Sequence, residues 1–301
     1  MILTLKYINM HKSIKIYFDN YLKFIFKDKY EIQITDNNNC DICICSVFGE
    51  LKNIDKINAK LKIFFTGENL SFIHRKKEYN IHEINRKFHI IIGFSPTNLK
   101  YNLIRFPIWL LCYPFYSMPN NENNIIDYIK NRRKINMLEN KKYIASCIAS
   151  HSRLGIRKKI CNEFSNYNKI IYPGKFRKNF NIGASFDDKI NFLKKVKFNI
   201  CPENSKSNGY CTEKIFHALE AGCVPIYWGN DLPEKNIINE NCYTFINIQN
   251  KDEMKKKIKY SIDNYNKILE QKIFKDNAKE IVKKYYDDLE FAIINSLNKL
   301  F

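Results

Sequence analysis

The chain has 301 residues, 45% of them hydrophobic, and its 50 basic against 31 acidic side chains leave a formal net charge of +19. That length accommodates two domains of ordinary size, and 9 glycines and 8 prolines are too few for a disordered or collagen-like chain. The positive field favours anionic partners such as phosphorylated substrates, nucleic acid or an anionic membrane, but no RNP-like aromatic set, zinc finger or basic zipper is present, which argues against nucleic acid.

Alternating apolar positions predict strands over 2–9 and 14–18, and a more helical spacing follows over 19–28. Strands are predicted at Tyr30–Thr35, Cys40–Phe48 and Leu61–Thr66, with a helix at 54–60. Two more strands fall at Phe88–Gly93 and Leu103–Pro107. Strands alternating with helices imply a mainly parallel sheet and an α/β fold. The Cys40-x-x-Cys43-x-Cys45 run lies in an alternating apolar stretch, so these are read as buried strand thiols; no second Cys or His pair completes a zinc site. Met1–Lys6 is too short for a signal peptide, and the ten cysteines are scattered among apolar residues, so a reduced, cytoplasmic setting is expected. No run approaches the roughly 20 apolar residues of a membrane helix.

A polar connector at 117–124 and a charged stretch behind it mark a domain boundary, which places an N-terminal domain at 1–139 and a second at 140–272. In the second domain the pattern predicts a strand at Tyr143–Ala149, a helix at 153–165, a strand at Ile170–Tyr172 and a helix at Asp187–Lys194. A strand at Phe198–Pro202, a helix at 212–221, strands at Val224–Trp228 and Phe245–Ile248 and helices at about 251–269 complete it. The last segment, 273–301, reads as helical, with Leu289, Ile293, Leu297 and Leu300 on one face, suited to packing back on the N-terminal domain or lying peripherally on a membrane.

Residues 198–230 carry the most chemistry. An apolar strand runs into a polar loop, the loop into a helix that begins Thr212-Glu213-Lys214, and after Gly222 a second apolar strand ends at Gly229. This order suits a phosphorylated ligand held beside the ends of parallel strands. Thr212 is a good N-cap, and free N–H groups of a first helical turn attract phosphate. Lys214 runs against the dipole preference for acidic residues in that turn, which makes sense if an anion binds there. Asn204, Ser205, Asn208, Gly209 and Tyr210 offer amides and hydroxyls to a sugar or ribose. Arg153 and Arg157 follow the strand at Tyr143–Ala149, and an Arg grips a diphosphate bidentately. Lys175, after Tyr172-Pro-Gly, is a further phosphate or base contact. In the first half, Glu68 stands just beyond a buried strand; such a carboxylate serves as a general base when apolar neighbours raise its pKa, and is otherwise an ordinary turn residue.

Phe198-Asn-Ile-Cys-Pro-Glu-Asn-Ser205, Gly209-Tyr-Cys-Thr-Glu-Lys-Ile215 and Val224-Pro-Ile-Tyr-Trp-Gly229 together resemble the signature of the α-1,3/4-fucosyltransferases, glycosyltransferase family 10. The likeness extends to Phe65-Thr-Gly-Glu-Asn69, Ile92-Gly-Phe94 with Arg105-Phe-Pro107, and Ile156-Arg157, and covers about residues 30–250 in the family's order. The resemblance implies a GT-B fold, two Rossmann-like domains facing a cleft, with the acceptor bound by the N-terminal domain and the nucleotide sugar by the C-terminal one. It implies inverting transfer of L-fucose from GDP-β-L-fucose to a glycan hydroxyl, with the 3-OH of GlcNAc or glucose as the expected acceptor position. By the same resemblance Glu68 is the base, Arg157 and Lys214 hold the diphosphate, and Glu213, Tyr210 and Asn204 surround the ribose and fucose. No Asp-x-Asp stands at the expected place, so no essential metal cofactor is expected, and a divalent metal would at most stimulate. The expected partners are GDP-fucose and an oligosaccharide or glycoconjugate acceptor. A GT-B transferase using another nucleotide sugar, and an inactive glycan-binding relative, stay open at this point.

Overall fold

The computed structural model describes residues 2–70, 79–113, 124–152, 154–183, 185–231 and 233–299. Every strand pairing among them is parallel, in one sheet of six strands and one of five. The sheets belong to two units: 1–123, 208–210 and 282–301 make the first, and 124–207 and 211–281 the second.

The first unit runs β1 (Ile2–Ile8), α1 (Lys12–Phe26), β2 (Glu31–Ile34), β3 (Asn39–Cys45), β4 (Asn58–Phe65), α2 (Ile81–Lys87), β5 (Ile90–Gly93), β6 (Leu103–Arg105) and α3 (Trp109–Cys112). Its strand order is β2-β1-β3-β4-β5-β6. The strand expected over 14–18 is part of α1 instead. Phe18, Tyr21, Leu22 and Phe26 are buried at helical spacing, whereas Ile16, which an alternating strand would bury with Phe18, is 49% exposed. The helix expected at 54–60 is a 3-10 turn, Leu51–Lys56, that buries Leu51 and Ile54 and gives way at once to β4. Cys40, Cys43 and Cys45 are all buried along β3 within this core.

The second unit runs α4 (Ile125–Asn136), β7 (Tyr143–Ser146), α5 (Ile156–Ser165), β8 (Ile170–Ile171), α6 (Phe186–Leu193), β9 (Val196–Ile200), α7 (Glu213–Glu220), β10 (Val224–Tyr227), β11 (Thr244–Phe245), α8 (Lys251–Asp263) and α9 (Tyr265–Leu269). Its strand order is β11-β10-β9-β7-β8. Near-continuous apolar strands such as Val224–Tyr227, buried at every position, are what a parallel sheet covered on both faces requires. Gly222 stops α7 with a φ of 71°, and its N–H returns to the Leu219 carbonyl at 3.1 Å.

The division falls at 123/124, not at 139/140 as the composition suggested. The charged stretch before 140 is helix α4, and it is fastened to the second unit. Arg133, only 4% exposed, donates to the carbonyls of Leu219, Cys223 and Leu269 at 2.9, 3.2 and 2.7 Å, and Asn136 donates to that of Glu220 at 2.8 Å. A helix that looks charged in sequence thus turns its buried Arg onto carbonyls at and just beyond the end of α7 and at the end of α9. The final helix, α10 (Ala278–Asn298), begins in the second unit and joins the first from Val282 onward. There Leu289, Ile293 and Leu297 are buried, and the Tyr286 hydroxyl donates to the Leu110 carbonyl at 2.8 Å. Leu300 lies outside the described residues.

Candidate active site

In the second sheet the chain leaves β7 outward to β8 and returns on the other side as β9. The strand order therefore reverses between β7 and β9, and the crevice beyond their carboxyl ends is where open α/β sheets bind ligands. A small pocket occupies that position. Ile148, Asn199 and Pro202 line it, together with three cations, Arg157, Lys189 and Lys214.

Arg157 sits in the first turn of α5, and the residue is 6% exposed. Its Nη2 donates to Asn204 Oδ1 at 2.6 Å, while Nη1 meets the His151 carbonyl and lies 3.2 Å from His151 Nδ1. The guanidinium is thus aimed by groups from two loops, which lowers the cost of gripping an anion.

Lys214 is held differently. Glu203, on the loop after β9, is fully buried, and its Oε2 accepts the Lys214 ammonium at 3.0 Å. The same carboxylate accepts the Thr212 N–H at 2.8 Å and the Thr212 hydroxyl at 2.8 and 3.0 Å. Thr212 occupies the N-cap position of α7 but does not cap it with its side chain, contrary to the sequence expectation, because its hydroxyl is committed to Glu203 and to Lys214, 2.7 Å away. Glu203 is the residue that sequence reasoning passed over. The signal was in plain view: an acid in the strand-end segment Pro202-Glu203-Asn204, nine residues ahead of the helix start.

Glu213 opens α7 and faces Lys189 of α6 at 3.9 Å. Burial pushes its carboxyl pKa up, but the Lys214 and Lys189 ammonium groups and its own N–H outweigh that and hold it well below the ordinary carboxylate range. Burial, together with Lys189 and Lys214, drives the His217 pKa well below its ordinary value against the pull of Glu213, so the imidazole is neutral. Lys189 was not among the residues singled out from sequence.

The other predicted residues fall elsewhere. Glu68 is half-buried in the first unit, in the turn beyond β4. The turn is tied by Thr66, whose hydroxyl donates to the Glu68 carbonyl at 2.7 Å and accepts the Glu68 N–H at 3.0 Å. Gly209 and Tyr210 group with the first unit too: Tyr210 is buried with its ring 4.8 Å from that of Phe94, edge to face, and the Gly209 carbonyl accepts from Arg105 Nη1 at 3.4 Å. Lys175 is exposed on the loop after β8 and is not among the described residues lining the pocket. That loop is fixed by Gly174, where a Cβ would fall onto the Ala149 backbone, and by the Phe176 N–H donating to the Ala149 carbonyl at 2.9 Å. Arg153 lies outside the described residues.

Two parallel α/β units, one with a cationic pocket at its switch point, make up the GT-B fold. Residues 137–286 match the C-terminal part of glycosyltransferase family 10 (fucosyltransferase), and residues 5–113 match the α-(1,3)-fucosyltransferase FucT N-terminal domain. The chain belongs to glycosyltransferase family 10. It is 26% identical over 269 residues to the α-(1,3)-fucosyltransferase FucT of Helicobacter pylori, covering 83% of this chain and 54% of that protein. The chain thus spans about half the length of that relative. A crystal structure of an α1,3-fucosyltransferase with GDP aligns with a TM-score of 0.66 at 23% identity, over 97% of this chain and 90% of the other. The same enzyme type with GDP-fucose gives 0.66 at 22%, over 96% and 90%. An α-glucosyltransferase in complex with UDP and DNA aligns at 0.56 with 10% identity, over 100% and 99%, which shows the shared fold alone.

Proposed function

We propose that this protein is an inverting α-1,3-fucosyltransferase that moves L-fucose from GDP-β-L-fucose to a glycan hydroxyl, the 3-OH of GlcNAc or glucose. The observation that carries the donor side is the pocket at the β7/β9 switch point, where Arg157 and Lys214 are each aimed by a separate set of hydrogen bonds. Membership of family 10, and the GDP and GDP-fucose in the similar solved structures, favour that donor.

In this reading the Glu68 carboxylate accepts the proton of the acceptor hydroxyl as its oxygen attacks the anomeric carbon of fucose. The bond from that carbon to the β-phosphate oxygen breaks in the same displacement, inverting the configuration, and GDP leaves with the bonding pair. Arg157 and Lys214 offset the charge that grows on the departing diphosphate, and because both are pre-aimed they stabilise the transition state with little reorganisation. Glu213 and Asn204 contact the ribose and fucose. Tyr210, buried, and Gly209 group with the first unit and shape the loop between these two positions in the sequence. Lys175 reaches the nucleotide from the loop after β8. The cations at the pocket supply the neutralisation that a divalent ion supplies elsewhere, so transfer should persist in EDTA.

The experiment is a donor panel. GDP-fucose should be turned over, while UDP-sugars and other GDP-sugars are not, and a glycan-array screen should return acceptors with a free 3-OH on GlcNAc or glucose. Turnover confined to another donor would replace fucose by that sugar, and no turnover of any donor would leave a glycan-binding protein. Among the described residues no helix is long and apolar enough to cross a membrane.

A further inference from the structure

Lys189 lies in the second turn of α6, a helix whose start is fixed twice over. Ser185 and Asp188 form a reciprocal capping box, the Asp188 N–H reaching Ser185 Oγ at 3.0 Å and the Ser185 N–H reaching Asp188 Oδ2 at 3.1 Å. Phe186 meets the His217 ring edge to face at 4.8 Å, which docks α6 on α7. These contacts hold Lys189 beside the pocket that Arg157 and Lys214 also line, with its side chain 23% exposed. The Lys189 ammonium faces the Glu213 carboxylate at 3.9 Å. That is an ion pair at its outer limit and too long for a hydrogen bond. Lys214, by contrast, is bound to Glu203 at 3.0 Å.

Among the described residues, the charged groups named at the pocket are three cations, Arg157, Lys189 and Lys214, and two carboxylates, Glu203 and Glu213. Of the two lysines, Lys214 is held by Glu203 at 3.0 Å, whereas Lys189 stands 3.9 Å from Glu213 on the rim of the same pocket. We propose that Lys189 is a third contact of the donor diphosphate, turning its ammonium from Glu213 to a phosphate oxygen when nucleotide binds. This rests on the donor reading given above. It also gives Glu213 a second role, as the counter-ion that keeps Lys189 beside the pocket while no nucleotide is present.

The test is calorimetric binding of GDP, GMP and inorganic pyrophosphate to the full chain, its Lys189→Gln and Lys189→Arg variants, and the same Lys189→Gln change made on Glu213→Gln. Lys189→Gln should weaken GDP and pyrophosphate about tenfold and GMP far less, and Lys189→Arg should keep most of the affinity. The loss should persist when Glu213 is Gln, since the contact is to phosphate. Equal GDP and pyrophosphate affinity in Lys189→Gln and the unaltered chain overturns the proposal. So does a loss that vanishes on the Glu213→Gln background, which makes Lys189 only a positioning residue for Glu213. An unaltered chain that binds pyrophosphate but not GDP sinks the GDP-donor reading while the pyrophosphate series still decides Lys189. Binding of neither ligand overturns both.

Discussion

Glu203 and Lys214 stand eleven residues apart in sequence and 3.0 Å apart in space, and the same carboxylate also receives the Thr212 N–H and hydroxyl. A fully buried carboxylate is costly unless every oxygen is engaged, and here one acid aligns the start of α7 and the lysine proposed to face the leaving group.

Removing that acid should be felt in the fold. Glu203→Ala strips the Thr212 N–H of its acceptor and Lys214 of the carboxylate beside it, and is expected to cost about 3 kcal/mol of stability. Glu203→Gln keeps an oxygen for Thr212 and should cost less. Urea unfolding of the two variants checks the order; an unchanged midpoint in Glu203→Ala would show that the buried pair contributes nothing.

Glu68→Gln separates chemistry from binding. The amide cannot take a proton, so the transfer rate should fall by about 10²–10⁴-fold, while GDP binding, assigned by the proposal to the second unit, should be unaltered. Turnover near that of the unaltered chain would refute its role as base.

Arg157→Lys keeps the charge and loses the fork. The Asn204 and His151 contacts that aim the guanidinium cannot both be reproduced by an ammonium. GDP affinity should drop about tenfold, which is about 1.4 kcal/mol, with a smaller drop for GMP. Calorimetry reads both, and equal affinities for Arg and Lys would show a point charge to be sufficient.

His217 makes stability depend on pH. In the unfolded chain it takes up a proton near its ordinary value of 6.5, and in the fold it does so only well below that. Below pH 6.5 the unfolded state therefore binds more protons, and stability falls as pH falls, by up to about 1.4 kcal/mol per unit. Glu213, held below its ordinary 4.5, adds loss of the same sign at still lower pH. Denaturant unfolding of His217→Leu between about pH 5 and about pH 7 should lack the His217 part of this slope; an identical slope in both proteins counts against it.

The sequence by itself determined the α/β class, the strand–loop–helix–strand at 198–230 and, through the resemblance carried by its motifs, the family. These features depend on neighbours in sequence: apolar runs of strand length, a Gly222 stop, and residues at fixed spacing around Thr212-Glu213-Lys214. Local pattern failed where burial overruled it. Ile14, Ile16 and Phe18 alternate as a strand would, yet the core claims Phe18 together with Tyr21, Leu22 and Phe26, so the segment is helix. The charged stretch before residue 140 carries no sign that Arg133 is buried on three carbonyls, because those carbonyls come from 86 to 136 residues further on. Only the tertiary structure decided that Thr212 serves Glu203 rather than capping its helix, that Glu203 rather than water holds Lys214, and that α6 delivers Lys189 to the same pocket. The reason is physical: periodicity records which face of an element is apolar, whereas the partner of a buried charge is chosen by what the finished fold brings within about 3 Å of it.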